Sequence, residues 1–228
     1  MTSAGELLRI YHVLLDRFGP QGWWPAESPF EVMVGAILTQ NTAWRNVERA
    51  IDNLKRAGVL DPRAILQMEE GELAELIRPT GYFRVKAKRL KGFVRFFVER
   101  FEGEVEEMRS QPLEGLRQEL MKLEGIGPET ADSILLYACE KPIFVVDAYT
   151  RRVLGRHRLL QDGAPYDEVQ RFFMERLPRD PELFKEYHAL LVRLGKTFCR
   201  PKARCEGCPL EGLSPEGEGW WGAISTNV

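Results

Sequence analysis

Residues 123–152 read LEGIGPETADSILLYACEKPIFVVDAYTRR, and this stretch decides the fold. It begins with Gly125-Ile126-Gly127, a turn between two segments of helical periodicity. Glycine adopts positive φ at little cost and lets a backbone approach another molecule closely, and Pro128 suits the first turn of the next helix. Because a helix begins with unpaired backbone N–H groups, such a hairpin can bind a phosphate. The stretch therefore predicts two helices joined by an anion-binding hairpin.

A carboxylate follows the apolar run of the same stretch. Asp147 lies twenty residues after Gly127 and directly follows Ile143-Phe144-Val145-Val146. A lone acid at such a place is either the N-cap of a helix or a functional acid at the end of an element. These residues alone leave both interpretations open.

The composition is typical of a soluble globular protein, with 44% hydrophobic and 29% charged residues among 228. The apolar runs are far shorter than the ~20 residues of a membrane span. Residues 1–15 lack a secretory signal, so we expect a cytoplasmic protein without a membrane partner. The net charge of −2 does not indicate nucleic-acid binding, but basic residues cluster at 84–95, 151–158 and 196–204. Such clusters are compatible with a DNA-binding face or with solvated helix surfaces.

Hydrophobic periodicity predicts an all-α fold, because apolar residues recur at helical spacing and no convincing strand alternation occurs. The aromatic stripe Phe93, Phe97 and Phe101 is typical of a buried helix face. Glycine, proline and capping residues separate the segments. The expected helices cover 5–18, 29–38, 43–56, a short segment from 61, 69–77, a long segment from 81 to 101, 112–122, 128–140, 147–156, 166–177 and 181–196.

Three of the four cysteines lie close together near the C-terminus. Five residues separate Cys199 from Cys205, and two separate Cys205 from Cys208. In a chain without a secretion signal, such spacing favours a metal site over disulfides. Cys139, in the helix after the hairpin, is typical of a small buried hydrophobe.

The hairpin, the acid and the cysteine cluster occur in an order that resembles the helix-hairpin-helix DNA glycosylases of the endonuclease III superfamily. The resemblance covers roughly residues 20–214. The segments GWWP, ILTQNTAW, RPTGYFRVKAKRL and GIGPETADSILLYAC are most similar to the bacterial 3-methyladenine DNA glycosylases of the endonuclease III type. This resemblance implies two helical domains that flank a DNA-binding cleft, formed by residues 22–133 and by residues 1–21 with 134–228.

The resemblance also implies roles for individual residues. Asp147 would be the catalytic acid, and Gly125-Ile126-Gly127 would grip a DNA phosphate. Gln40 and Asn41 would fill the gap left by a flipped base. Further DNA contacts are expected from two basic residues, Arg151 and Lys196. The protein would be a monomeric, cytoplasmic and nucleoid-associated enzyme. Its partner would be double-stranded DNA that contains a damaged base.

The lesion pocket is expected to be aromatic, because enzymes that act on bases in duplex DNA stack the flipped base against aromatic or apolar groups. Electron-rich tryptophan faces favour cationic partners, and N3- or N7-alkylated purines are cationic. The sequence therefore favours an alkylated purine as the substrate. The expected pocket residues are Trp23, Trp24, Pro25, Trp44 and Glu129.

Glu129 is the main departure from the bifunctional relatives, which carry a nucleophilic lysine at its position. Since a carboxylate cannot form a Schiff base, we expect a monofunctional DNA glycosylase that leaves an abasic site. One alternative is an endonuclease III-like glycosylase for oxidised pyrimidines or mismatches. Another is a non-catalytic DNA-binding helix-hairpin-helix protein.

The resemblance further implies a 4Fe–4S cluster in a C-terminal cysteine-rich loop. The family holds this iron–sulfur cluster with four cysteines, of which the last two are separated by five residues. Here the corresponding position after Cys208 is Ser214. Serine ligates iron less readily than a thiolate does. The expected ligands are Cys199, Cys205 and Cys208. The fourth ligand could be Ser214 or water, or the fourth position could be empty. Zinc is the alternative metal.

Overall fold

The computed structural model describes residues 3–213, and within them the fold is entirely helical. This confirms the all-α prediction. The α-helices of the described residues are α1 (Ala4–Phe18), α2 (Pro29–Leu38), α3 (Trp44–Arg56), α4 (Pro62–Gln67), α5 (Glu70–Leu76), α6 (Phe83–Phe101), α7 (Val105–Ser110), α8 (Leu113–Met121), α9 (Pro128–Ser133), α10 (Ala148–Arg156), α11 (Tyr166–Met174) and α12 (Pro181–Thr197). None of them is both long and apolar enough to cross a membrane.

One compact unit comprises Trp24–Lys141 and contains α2 to α9. Helix α2 is apolar almost all round, and its residues from Phe30 to Leu38 are all buried. It packs against α6, α3, α9 and the segment that follows α9. The aromatic stripe of α6 lies in this core, where the rings of Phe93 and Phe97 stack with centroids 6.1 Å apart. The predicted core role of this stripe is confirmed.

The second compact unit joins residues 3–23 to residues 142–213, as far as the structure describes them. Its core forms where α1 and α10 pack against α12. The apolar run before Asp147 is buried and has no regular secondary structure. Phe144 from this run stacks on Phe173 of α11 with ring centroids 3.9 Å apart. Tyr187 of α12 fastens α1 by donating a hydrogen bond to the Leu7 carbonyl over 2.9 Å.

Helix bounds differ from the sequence predictions at several places. The expected helix over 128–140 is α9 followed by a π-helical turn, Ile134–Ala138, whose residues are all buried. Helix α11 ends at Met174 rather than near 177, and α7 in the acidic stretch 102–107 was not predicted. The resemblance implies a domain boundary after position 133, where α9 continues without a break into the π turn. The compact unit ends later, at Lys141.

Candidate functional site

The hairpin after α8 exposes its glycines and buries the residue between them. Gly125 has φ +78°, which favours glycine, whereas Gly127 is the extended N-cap of α9 with φ −88°. Ile126 is buried and anchors the turn. A Cβ added at Gly127 would meet nothing within 4 Å, but one at Gly125 would lie 2.1 Å from Nε of Arg89. The exposed backbone of the hairpin is therefore open to a ligand on the Gly127 side.

The Gln40 side chain fastens the hairpin to the end of α2. Its Nε2 donates to the Gly125 carbonyl over 2.9 Å and to Oγ1 of Thr130 over 3.0 Å. Its Oε1 accepts from Arg89 over 2.8 Å. Gln40 is thus engaged within the protein, while the neighbouring Asn41 is exposed with φ +52°. Of the two residues expected to fill a gap in DNA, Asn41 is the one that the structure exposes.

A cavity of about 300 Å³ adjoins the hairpin, and Gln40, Asn41, Gly125 and Glu129 all contribute to its lining. Glu129 occupies the first turn of α9 and is exposed. The structure therefore places these four predicted residues around one cavity. The group at position 129 is a carboxylate, which accepts protons and hydrogen bonds but is not an amine nucleophile.

A buried ion pair fixes α9 below the hairpin. Asp132 is fully buried, and its carboxylate receives two hydrogen bonds from Arg117 of α8, over 2.7 Å and 3.1 Å. This bidentate arrangement sets the orientation of both helices as well as their spacing. The hairpin thus connects two helices that are fastened to each other.

A buried lysine joins the end of α2 to the 3-10 turn Arg78–Thr80 that precedes α6. Nζ of Lys86 donates to the carbonyls of Leu38, over 2.8 Å, and Thr80, over 2.9 Å. Burial, and secondarily the charge of Arg89, lower the pKa of Lys86 to about 8. Leu38 precedes the segment with Asn41, and Thr80 precedes Tyr82. Tyr82 is 78% exposed with φ +48°, so it presents an aromatic ring that the sequence prediction missed.

The tryptophans of the predicted pocket fall into two groups. Trp24 contacts the edge of Trp44 with ring centroids 5.1 Å apart. With Pro25 they line a cavity of about 150 Å³ that also contains the acidic side chains of Glu31, Glu48 and Asp52. Trp23 belongs to the other compact unit, where Nζ of Lys196 lies 5.8 Å from the ring centroid.

Asp147 is the N-cap of α10, and its Oδ1 accepts a hydrogen bond from the Thr150 amide over 2.7 Å. Its Oδ2 lies 3.5 Å from Nε2 of His188, on α12. Burial alone would raise the pKa of Asp147, but the contacts with His188 and Thr150 outweigh burial and lower it. The side chain is only 12% exposed. These contacts therefore favour the charged form of a nearly buried carboxylate.

Arginines from α10 attach the cysteine loop to the second unit. Arg152 donates to the Cys199 carbonyl over 2.6 Å, and Arg156 donates to the Pro201 carbonyl over 2.6 Å and contacts Cys199 Sγ at 3.4 Å. Cys199 is buried, Cys208 is half-buried and Cys205 is exposed. In the part of the chain that the structure describes, no three His, Cys, Asp or Glu residues are grouped to hold a metal ion. Ser214 lies outside the described residues.

The basic residues of the three clusters differ in whether they bind groups of the protein or are exposed to solvent. In the cluster at 84–95, Lys86 is internal, Lys88 pairs with Glu124 over 2.8 Å, and Lys91 donates to the Leu66 carbonyl over 3.2 Å. These lysines therefore stabilise the protein itself. Arg151 and Lys196, by contrast, are exposed, as a contact with DNA would require.

Comparison with known proteins assigns the family. Residues 34–179 match the model of the HhH-GPD superfamily of base excision DNA repair proteins. The chain belongs to this superfamily. It is also 52% identical to a Methanocaldococcus jannaschii protein provisionally named a DNA repair glycosylase, over 90% of this chain and 94% of that protein.

Solved structures of the superfamily share the fold. A Helicobacter pylori 3-methyladenine DNA glycosylase bound to 1,N6-ethenoadenine is 31% identical and has a TM-score of 0.74, covering 86% of this chain and 98% of that one. A trapped endonuclease III–DNA covalent intermediate is 24% identical with a TM-score of 0.80, covering 95% and 98%. The second likeness concerns the fold alone. Membership of a DNA glycosylase superfamily confirms the resemblance read from the hairpin and its surroundings.

Proposed function

We propose that this protein is a monofunctional DNA glycosylase that removes an alkylated purine from duplex DNA and leaves an abasic site. The observation that carries the proposal is the Asp147 carboxylate, which caps α10 and is nearly buried. The contacts with His188 and Thr150 lower its pKa and so favour its charged form. Cleavage of an N-glycosidic bond passes through a sugar with oxocarbenium character. A fixed carboxylate stabilises that positive charge in a water-poor site, and it can orient or deprotonate the attacking water.

Glu129 supports the monofunctional part of the proposal. A glycosylase that also cleaves the strand needs an amine that forms an imine with C1′. Glu129 occupies the first turn of α9 beside the hairpin, at the position that holds this lysine in the bifunctional relatives. The proposed reaction is therefore hydrolysis, with water as the nucleophile.

The cavity beside Trp24 and Trp44 supports a cationic base as substrate. Aromatic faces attract cations, and the carboxylates of Glu48 and Asp52 line the same cavity and add negative charge. A neutral oxidised pyrimidine would gain less from this environment. The H. pylori relative, a 3-methyladenine DNA glycosylase bound to 1,N6-ethenoadenine, favours the same substrate class.

For DNA binding, we propose that the exposed Gly125–Gly127 backbone holds a phosphate and that Asn41 enters the gap left by the flipped base. Arg151 and Lys196 would add charge contacts. Such contacts position the duplex without reading its sequence. The expectation that two helical domains, 22–133 and 1–21 with 134–228, flank a DNA-binding cleft stays a prediction.

The iron–sulfur cluster also stays a prediction, and the described residues do not form a complete site for it. The three thiols of the loop lack a fourth cysteine, and Cys139 lies in the other unit. Arg152 and Arg156 attach the loop by donating hydrogen bonds to the carbonyls of Cys199 and Pro201. Anaerobic purification followed by iron and sulfide analysis tests the prediction, since a thiolate-held cluster absorbs broadly near ~400 nm. Stoichiometric zinc without iron would contradict it.

A panel of duplexes, each with one defined lesion, tests the proposed function. The panel would contain an alkylated purine, 1,N6-ethenoadenine, an oxidised pyrimidine and a thymine mismatch. Released base would be identified by mass spectrometry, and the strand would be analysed with and without alkali. We expect release of the purine lesions, with strand breaks only after alkali. Release of only the oxidised pyrimidine or mismatched thymine would favour the endonuclease III-like alternative, and binding without release would favour the non-catalytic one.

A further inference from the structure

A histidine distant in sequence contacts the proposed catalytic carboxylate. We infer that His188 is a positioning residue for Asp147, one that fixes the orientation of the carboxylate through its second oxygen. Thr150 holds Oδ1 through its backbone amide, and His188 faces Oδ2 through Nε2. Oδ1 is hydrogen-bonded and Nε2 of His188 lies 3.5 Å from Oδ2, so the imidazole limits rotation of the carboxylate about χ2. The inference rests on the proposed role of Asp147 in glycosidic cleavage.

The distance between the two side chains is set by the packing of α10 on α12. A Cβ added at Gly195 of α12 would lie 2.4 Å from Cδ1 of Tyr149, so only glycine lets the Tyr149 ring pack there. Arg152 of α10 then donates to the Gly195 carbonyl over 3.3 Å and to the Cys199 carbonyl over 2.6 Å. These contacts fasten the beginning of α10 to the last turns of α12. His188 is thereby held against Asp147 by several independent contacts.

Imidazole has chemical properties that suit this task. When Nε2 carries the proton, imidazole directs one N–H toward the carboxylate, whereas a lysine or arginine would place a permanent positive charge there. Such a charge would offset part of the negative charge that stabilises the oxocarbenium-like transition state. The distance of 3.5 Å is at the outer limit of a hydrogen bond. Catalytic hydrogen bonds are often long in the free enzyme and shorten in the substrate complex.

The competing explanation is that His188 only fills the core, since it is 6% exposed. The two explanations differ in what a variant does. If His188 is purely structural, its replacement lowers the stability of the protein, and the folded fraction releases base at the normal rate. If His188 is a positioning residue, its replacement lowers the rate of base release, while the stability and the DNA affinity stay close to normal.

The test uses the full-length protein, a duplex with one 1,N6-ethenoadenine, and single-turnover base release. His188→Leu keeps the volume but removes the N–H, and His188→Gln restores a donor near the position of Nε2. Tyr187→Phe is the matched control, because it deletes a hydrogen bond to Leu7 from the neighbouring buried residue of α12. Affinity is measured in parallel with a duplex that carries a non-cleavable abasic-site analogue. Thermal unfolding is followed for each variant.

We expect His188→Leu to release base about tenfold to hundredfold more slowly, the size of effect that misplacement of a catalytic group produces. Affinity for the analogue duplex should change little. His188→Gln should recover most of the rate, and Tyr187→Phe should lower stability while retaining the normal rate below its unfolding temperature. If His188→Leu fails to fold, the rates of base release by His188→Gln and Tyr187→Phe still distinguish the two explanations. A normal rate in folded His188→Leu, or equal losses in His188→Gln and Tyr187→Phe, would overturn the inference.

Asp147→Asn separates this inference from the proposed function. If Asp147→Asn releases no base and His188→Leu releases base normally, only the positioning role fails. If Asp147→Asn itself releases base at the normal rate, the proposed mechanism fails and the role of His188 fails with it.

Discussion

The hairpin and the Asp147 site are built in opposite ways. The hairpin offers backbone groups from contiguous residues, and its two glycines are distinguished by φ and by their neighbours. Asp147 offers one side chain, and its charge and orientation depend on a residue from α12, far along the chain. We conclude that a proposed phosphate-binding element can be read from local sequence, whereas the setting of a proposed catalytic group is determined by tertiary packing.

The hairpin depends most on the ion pair beneath it. Arg117→Met would leave the Asp132 carboxylate fully buried without its bidentate partner. Removal of one member of a buried pair costs about 3–5 kcal/mol of unfolding free energy. We expect this loss in urea unfolding, with DNA affinity lost in step with the folded fraction. Arg78→Met is a control, because Arg78 forms an exposed pair with Glu75. Equal stabilities of the two variants would contradict the role assigned to the Arg117–Asp132 pair.

The two glycines of the hairpin should respond differently to alanine. Gly125→Ala forces a positive φ on alanine and brings Cβ against Arg89, so we expect a loss of about 1–3 kcal/mol in unfolding free energy. Gly127→Ala meets open space within the protein, so stability should hardly change. Its methyl group would instead obstruct a phosphate and weaken binding to all duplexes alike by about 1 kcal/mol. Unchanged affinity of Gly127→Ala would remove the hairpin from the proposed DNA interface.

Glu129→Lys should have the smallest effect, a gain rather than a loss. It introduces an amine on α9 at the position where bifunctional relatives carry their nucleophile. We expect a small yield of borohydride-trapped enzyme–DNA adduct from this variant and none from the unmodified protein, because only an amine forms the imine. Gel electrophoresis of the trapped complex measures the yield. Trapping by the unmodified protein would show that another lysine acts, and the monofunctional proposal would then be wrong.

The sequence predicted much of the fold because its signals are local. The apolar character of α2, the stripe on α6 and the capping position of Asp147 are each encoded within a few residues. The π turn over Ile134–Ala138 was missed because a run of buried apolar residues has the same periodic signal in an α-helix. Helix α7 was missed because its acidic, polar segment shows little amphipathic pattern.

The sequence analysis named individual residues of the candidate site but not the contacts among them. Trp24, Pro25 and Trp44 line one cavity, whereas the side chain of Gln40 turns inward and fastens the hairpin. His188 and Lys86 carried no local signal, since each acts through contacts with residues far away in sequence. The spacing of the three cysteines predicted a metal site. It does not identify the fourth ligand that a complete site needs. Arginine contacts with backbone carbonyls, which attach this loop, leave no sequence signature at all.

The most direct test of the central claim is base release by Asp147→Asn and Asp147→Ser. Both replacements keep an oxygen that can cap α10, so melting temperatures should stay near that of the unmodified protein. Neither supplies a carboxylate. Under single-turnover conditions with saturating protein and a lesion-containing duplex, we predict losses on the order of 10²–10³-fold or more in base release, with little change in DNA affinity. Base release near the normal rate by either folded variant would show that Asp147 is only a helix cap and would contradict the account.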